Sequence, residues 1–162
     1  MALISGAKTC MNAPVFVDTN VFVYALDAGA GPKQQAAQAW RDALWRNRNG
    51  RISFQVLQEF YVQACRINPE ARESIRADIR DLLAWNPVVC DDPVLLEAFN
   101  IQDDIGVSFW DALIIAAALA ADCRYLLTED LRHGQDIRGM VVVNPFTISP
   151  DELQNSTGDG PG

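Results

Sequence analysis

The sequence of 162 residues contains a single histidine, His133. One histidine excludes metal sites built from several imidazoles, and it leaves one candidate base for a serine or cysteine nucleophile. The four cysteines are too far apart for the paired spacing of a zinc or redox site, and we interpret them as reduced thiols: Cys10, Cys65, Cys90 and Cys123. Any catalysis by this chain is therefore expected to depend on carboxylates.

The sequence also lacks a hydrophobic run long enough to span a bilayer. The longest uncharged apolar run, Ala112 to Ala121, is shorter than a membrane span requires. The amino-terminal segment has no apolar centre of the kind found in signal peptides, because Gly6, Lys8 and Thr9 interrupt it. We therefore expect a cytoplasmic protein that does not insert into membranes.

Positive charge is scarce as well. The chain has 13 lysines and arginines against 21 acidic residues, which gives a net charge of -8. An acidic surface repels nucleic acids, so RNA or DNA binding would require a local basic patch or metal ions. A hydrophobic fraction of 49% and a charged fraction of 21% are typical of one globular domain at this length.

Short apolar segments alternate with helical segments along the chain. This alternation predicts an α/β fold with a mainly parallel sheet and helices on both faces. The candidate strands are Val15–Val17, Arg51–Phe54, Pro87–Cys90, Tyr125–Leu127 and Met140–Val143. The candidate helices follow Asp18, cover Lys33–Arg48, Gln55–Ile67 and Pro69–Trp85, begin at Pro93, and run from Phe109 to about Cys123.

Three regions differ in composition. Residues 1–13 are predicted to form a flexible leader, and residues 14–147 are predicted to form a single folded domain. Residues 148–162 are polar and rich in glycine and proline, which predicts a disordered tail.

Four acidic residues occupy positions that a parallel sheet would bring together. Asp18 and Asp130 follow the first and fourth candidate strands, so both are expected at the carboxyl edge, where open α/β sheets bind ligands. Asp111 lies in the first turn of the most apolar helix, and Glu59 lies one turn into the helix after the second strand. We expect the four side chains to converge on one site.

Converging carboxylates favour a divalent cation. Their mutual repulsion raises the pKa of some of them unless a cation neutralises the site. Mg²⁺ and Mn²⁺ prefer oxygen ligands, and such ions activate water and stabilise the charge that develops on a phosphodiester. The pattern therefore favours phosphodiester hydrolysis.

Each acid also has an explanation that needs no metal. Asp18 fits a helix N-cap, and Ser108 with Asp111 fits an S-x-x-D capping box. Glu59 lies outside the apolar stripe of its helix and fits a solvated side chain. Asp130 fits ordinary turn chemistry.

Four segments together resemble a known family. These segments, in chain order, are VFVDTNVFVYAL, SFQVLQEFY, VSFWDALIIAAAL and LLTEDLRHGQDIRGMVVVNPF. Their order and spacing from Pro14 to Phe146 resemble PIN-domain ribonucleases, above all the VapC-type toxins of bacterial toxin–antitoxin pairs.

The resemblance implies a PIN-like three-layer α/β/α sandwich and a Mg²⁺ or Mn²⁺ site. It implies that the ion is held by Asp18, Glu59, Asp111 and Asp130, supported by Asn20 and Thr128. RNA would be hydrolysed to leave a 5′-phosphate and a 3′-hydroxyl. The resemblance also implies a cognate antitoxin and a homodimer, and it leaves open whether Glu129 contacts the metal.

Four arginines lie near the end of the helix that begins at Lys33: Arg41, Arg46, Arg48 and Arg51. Cations there complement the helix dipole, and the alternative is that they bind substrate phosphates. His133, in the turn before the last strand, has the same two interpretations, a structural role or a substrate contact.

Two other functions remain possible at this stage. A phosphatase with an aspartyl nucleophile commonly carries D-x-D, but here Asn20 occupies the second acidic position. A catalytically silent domain that only binds a partner would not require the four acids, all of which are present.

Overall fold

The computed structural model describes residues 13–156, which form a five-stranded sheet flanked by helices. The strands are β1 (Val15–Val17), β2 (Gly50–Arg51), β3 (Tyr125–Leu127), β4 (Asp136–Ile137) and β5 (Met140–Val143). They lie in the order β2-β1-β3-β5-β4, and only β4 is antiparallel to its neighbour. The prediction of a mainly parallel sheet is confirmed.

Helices cover both faces of the sheet, which gives the predicted three-layer α/β/α sandwich. They are α1 (Thr19–Leu26), α2 (Pro32–Asn47), α3 (Phe54–Ile67), α4 (Arg72–Leu82), α5 (Asp92–Ile105), α6 (Phe109–Ala120) and α7 (Pro150–Ser156). Helix α1 packs against α2 and α3, and α5 packs against α6. None of the helices between residues 13 and 156 is long and apolar enough to cross a membrane.

Strands β1 and β3 form the centre of the core. Every residue of both strands is buried, in agreement with their apolar and β-branched composition. The parallel register pairs Val17 with Leu127, so the two strands end side by side. The residues that follow them therefore emerge next to each other at the carboxyl edge.

Side-chain caps fix where the helices begin. Asp18, Ser53, Asp91 and Ser108 each accept a hydrogen bond from a backbone amide of the helix that follows. Helix α6 is buried along its length from residue 112 to residue 118, as its composition predicts.

Some predicted elements differ from the structure. Pro87–Cys90 forms no strand and contributes one isolated bridge, between Val88 and Ser53. The predicted helix Pro69–Trp85 is α4 with a 3₁₀ turn at each end. Strand β4 was not predicted, because a two-residue strand beginning with an exposed aspartate has no apolar pattern.

The prediction of a disordered tail is wrong for residues 150–156, which form α7. Ser149 and Glu152 make a reciprocal capping box, with the Ser149 amide donating to Glu152 at 2.6 Å and the Glu152 amide donating to Ser149 at 3.2 Å. Leu153 packs against the core, and the Trp40 indole donates to the Ile148 carbonyl at 3.2 Å. Residues 157–162, and residues 1–12 of the predicted leader, lie outside the described part of the chain.

Gly50 is required at the start of β2. A Cβ atom at this position would lie 2.4 Å from the ring of Trp85, which is too close for any side chain. The indole of Trp85 therefore packs directly on the backbone at the amino edge of the sheet.

Candidate active site

The register of β1 and β3 places Asp18 beside Thr128. The Thr128 hydroxyl donates to one carboxylate oxygen of Asp18 at 2.8 Å, and the Thr19 amide donates to the other at 2.7 Å. The Asp18 amide donates to the Leu127 carbonyl at 3.0 Å. Asp18 is thus held at both carboxylate oxygens and at its backbone, and its side chain serves both as the cap of α1 and as the centre of the acidic site.

Burial makes Asp18 a weaker acid than an exposed aspartate. The residue is only 7% exposed, and this desolvation is the main reason why its pKa rises from 3.8 to about 7. Hydrogen bonds from Thr128 and Thr19 oppose the rise, whereas the charges of Asp130 and Glu59 add to it. A buried carboxyl group with acidic neighbours is a site where a bound cation would relieve repulsion.

Asp130 is fixed by the loop that follows β3. Its amide donates to the Thr128 hydroxyl at 3.1 Å, and the Asn20 amide group donates to its carboxylate at 3.1 Å. Burial and then the charge of Asp111 raise the pKa of Asp130. The expected supporting residues Asn20 and Thr128 therefore contact the acids directly.

Glu59 is held in place by two polar side chains. The Thr19 hydroxyl donates to one of its oxygens at 2.7 Å, and the Gln55 amide group donates to the other at 2.9 Å. Glu59 also raises the pKa of Asp18, so it faces the acidic site and is not a solvated side chain that stands alone.

Asp111 lies at the start of α6. Its amide donates to the Ser108 hydroxyl at 3.1 Å, as the capping-box interpretation predicts. Its carboxylate lies close enough to Asp130 to raise the pKa of that residue. The capping contact is confirmed, and the role of Asp111 in an acidic site stays a prediction.

The donor set fits a hard divalent cation in its chemistry, because all four groups are carboxylates. Between residues 13 and 156, however, no three acidic, histidine or cysteine side chains lie close enough together to form a ready-made metal cluster. Both oxygens of Glu59 accept hydrogen bonds, one from Thr19 and one from Gln55. Cation binding would require the acidic side chains to approach one another more closely than they do here.

Glu129 contacts Tyr24 and Lys33, and its charge also raises the pKa of Asp130. The Tyr24 hydroxyl donates to it at 2.7 Å and the Lys33 ammonium donates to it at 2.8 Å. Burial raises the pKa of Glu129, but these two hydrogen bonds outweigh burial and leave the pKa lowered. The Lys33 ammonium also lies 5.0 Å from the Phe146 ring centroid. Sequence reasoning did not identify Tyr24 and Lys33, since no local pattern links them to Glu129.

The arginines lie at the opposite edge of the sheet. Arg48 precedes β2 and Arg51 ends it, and the Arg51 guanidinium donates to the Gly50 carbonyl at 2.9 Å. Arg46 lies in the last turn of α2, and the Arg41 guanidinium lies 5.4 Å from the Phe22 ring centroid. The structure does not bring this group together with the acids.

His133 lies in the turn before β4. Its Nδ1 atom accepts a hydrogen bond from the Asn144 amide at 3.1 Å, just after β5 ends. This contact joins the two loops and gives the imidazole a structural role. The ring remains exposed on the carboxyl side of β5.

Comparisons with known proteins agree with this fold. Residues 15–135 match the PIN domain family. Among solved structures, the chain is similar to a toxin–antitoxin complex from Klebsiella pneumoniae, with a TM-score of 0.60 and 21% sequence identity over 83% of this chain and 99% of that chain. At that identity the likeness shows the fold alone. No curated protein sequence matches the chain at a significant level.

Proposed function

The chain belongs to the PIN-domain family, whose members are generally metal-dependent nucleases, and we propose that it is a Mg²⁺- or Mn²⁺-dependent endoribonuclease. We further propose that it acts in the cytoplasm as a VapC-type toxin with a cognate antitoxin. The observation that carries the proposal is the buried Asp18 at the carboxyl edge of the sheet, whose pKa is raised by burial and by the nearby charges of Asp130 and Glu59.

Asp18, Glu59, Asp111 and Asp130 are the residues that would hold the ion. When bound, the ion activates water and neutralises charge on the scissile phosphate. The chain's own contribution is to hold individual ligands in place by hydrogen bonds until an ion binds. Thr128 and Asn20 orient Asp18 and Asp130, and Thr19 holds Glu59 until an ion competes for it.

An aspartyl-nucleophile phosphatase is less well supported. Asp18 is the strand-end acid that would attack, but it is 7% exposed and both of its oxygens accept hydrogen bonds from the chain. A nucleophile needs a free oxygen and an open approach to phosphorus. The second position of the phosphatase motif holds Asn20, which bonds to Asp130.

Exposed apolar residues beside the acids support a protein partner. Trp110 is 62% exposed, and it lines a cavity of about 460 Å³ together with Glu59 and Val62. Exposed apolar surface of this kind marks interaction sites in proteins. We propose that the antitoxin covers this surface, as suggested by the similar structure, which is of a toxin–antitoxin complex. We also propose a homodimer, for which the exposed Leu96 and Phe99 on α5 offer a second apolar surface.

The test is induction in a bacterial host of the wild type and of Asp111→Asn at matched protein levels. New RNA ends carrying 5′-phosphates are mapped across the transcriptome while growth is followed. Growth arrest with discrete new ends, both absent in the variant, is the expected result. Arrest that persists in Asp111→Asn without new ends would favour the catalytically silent domain that acts by binding.

A further inference from the structure

The amino edge of the sheet contains an open aromatic cavity. Helix α2 ends at Arg48, which adopts a left-handed conformation with φ of 55° and turns the chain into β2. The cavity has a volume of about 230 Å³ and is lined by Trp45, Arg48, Gly50, Arg51, Ala84 and Trp85. We call the three residues Trp45, Arg48 and Arg51 the amino-edge patch.

The two tryptophans of this cavity differ in exposure. Trp85 is 8% exposed and packs on Gly50, whereas Trp45 is 47% exposed. Their ring centroids are 5.7 Å apart with an interplanar angle of 37°. Trp85 therefore supports Trp45 from the protein side, and the outer surface of the Trp45 indole is available for stacking. Exposed aromatic rings of this kind stack on nucleobases with little dependence on sequence.

The arginines of the patch carry charge that the protein does not neutralise. Among residues 13–156, no carboxylate forms an ion pair with Arg48 or Arg51. Arg41 differs, since it is largely desolvated and is affected by the charges of Asp42 and Asp78. In a chain of net charge -8, the patch is thus a local positive site.

Guanidinium groups without an ion pair, beside an exposed indole, match a single-stranded nucleic acid better than an acidic peptide. In a single-stranded nucleic acid, the phosphates bind the guanidinium groups and the bases stack on the indole ring. An acidic peptide supplies carboxylates but no regular series of aromatic rings. The patch is also at the edge opposite the four acids, where phosphates meet no carboxylate cluster. A strand of three residues spans about 10 Å, so only an RNA of several nucleotides reaches both edges.

We propose that the amino-edge patch is a second RNA-binding site, which holds a single-stranded segment of the substrate outside the active site. The choice of RNA rests on the proposed ribonuclease function. Trp45 stacks on a base, and Arg48 and Arg51 bind the adjoining phosphates. The site increases affinity for long RNA and leaves the chemical step unchanged.

The test is fluorescence anisotropy with a labelled single-stranded RNA of about 20 nucleotides, measured in EDTA over a range of salt concentrations. Arg48→Gln is expected to lower the slope of log affinity against log salt by about 0.7, the value for one lost phosphate contact. Trp45→Leu is expected to weaken binding about fivefold or more with little change in slope. Arg72→Gln, at an exposed position of α4, is the control for the same loss of charge.

Arg48→Gln decides the proposal if Trp45→Leu does not fold, because the exposed Arg48 side chain forms no hydrogen bond or ion pair with residues 13–156, and its loss should not affect folding. An affinity and a slope equal to those of Arg72→Gln would overturn it. Binding of a polyglutamate peptide as tight as that of RNA, and insensitive to Trp45→Leu, would overturn the choice of RNA and indicate an acidic peptide.

An RNA cleavage assay distinguishes a failure of this inference from a failure of the proposed function. With Mn²⁺, Arg48→Gln is expected to raise the KM for a long RNA, whereas a dinucleotide, whose single phosphodiester cannot occupy the active site and the patch at once, should not distinguish the variant from the wild type. If the wild type binds RNA through the patch but cleaves none, the ribonuclease proposal fails and the binding site stands. If the wild type cleaves RNA and Arg48→Gln binds it normally, only the binding site fails.

Discussion

The two edges of the sheet differ in how their charged side chains are held. At the carboxyl edge, the oxygens of Asp18 and Glu59 are each held by a hydrogen bond from the chain. At the amino edge, Arg48 and Arg51 form no ion pair within residues 13–156, and Trp45 is half exposed. The first arrangement suits chemistry, which needs fixed geometry, and the second suits adaptable binding of a flexible chain.

The largest expected effect would separate catalysis at one edge from binding at the other. Asp111→Asn should lower RNA cleavage by about a thousandfold, because a neutral amide binds a cation less well and loses the charge that the site supplies. The helix should persist, since the Ser108 hydroxyl still accepts from the backbone amide of residue 111. Cleavage rates and Mn²⁺ affinity by calorimetry are the measurements.

RNA affinity in EDTA provides the control for this variant. It should match the wild type, because the amino-edge patch is intact. Unaltered Mn²⁺ affinity would show that Asp111 is not a metal ligand. Loss of RNA affinity would show that the two edges are not independent.

The next effect concerns the free energy of unfolding of the metal-free protein. The pKa of Asp18 is raised from 3.8 to about 7, so the folded state binds this proton more tightly than the unfolded state does. Stability should therefore fall as the pH rises from about 4 to about 7, by at most about 4 kcal/mol. Asp18→Asn should remove this part of the pH dependence, and urea unfolding at several pH values measures it.

Adding Mn²⁺ to the same unfolding experiment provides a second test. A cation that neutralises the acids should restore the lost stability of the wild type above about pH 7 and leave Asp18→Asn nearly unaffected. Equal pH profiles of wild type and variant without metal would contradict the raised pKa of Asp18.

A smaller effect is expected from the residue that joins two of the acids. Thr128→Val removes the hydroxyl that donates to Asp18 and accepts from the Asp130 amide. We expect a loss of about 1–3 kcal/mol in stability, larger above about pH 7 because this hydrogen bond favours the ionised form of Asp18, together with slower cleavage. Thr128→Ser keeps the hydroxyl and should restore most of the cleavage, so a failure of Ser to rescue would point to packing of the methyl group.

The smallest expected effect tests how much helix α7, which packs at the amino edge of the sheet, contributes to stability. Leu153 on α7 packs against the core beside Trp40, in a cavity that Asn49 and Tyr125 also line. Leu153→Ala should cost about 1–2 kcal/mol because the residue is only half buried. Asn155→Ala, exposed on the same helix, is the matched control in thermal unfolding. Equal melting temperatures for the two variants would show that α7 adds nothing to the fold.

The sequence was sufficient to predict that Asp18 and Asp130 lie near each other, but not the contacts that hold them. Asp18 and Asp130 follow apolar strands, and parallel pairing of those strands is enough to bring them together. The hydrogen bonds of Glu59 to Thr19 and of Glu129 to Lys33 join segments 40 and 96 residues apart, and no local pattern encodes them.

The error at α7 had a different cause, because a local signal was present. Ser149 and Glu152 form the S-x-x-E box and Pro150 occupies the first helical position, which together predict a helix start. The abundance of glycine and proline after residue 156 led to the prediction of disorder for the whole segment. Capping motifs of this kind are more informative than average composition over a short tail.

The pairing of β1 with β3 has a consequence for how the protein is made. Asp18 and Thr128 are 110 residues apart, and a ribosome that adds about 5–20 residues per second needs about 5–20 seconds to cover that distance. During this interval β1 has emerged without its central partner, and Asp18 lacks the hydroxyl that fixes it. Under the proposed function, the nascent chain is harmless to the RNA around it until β3 and Thr128 have been translated.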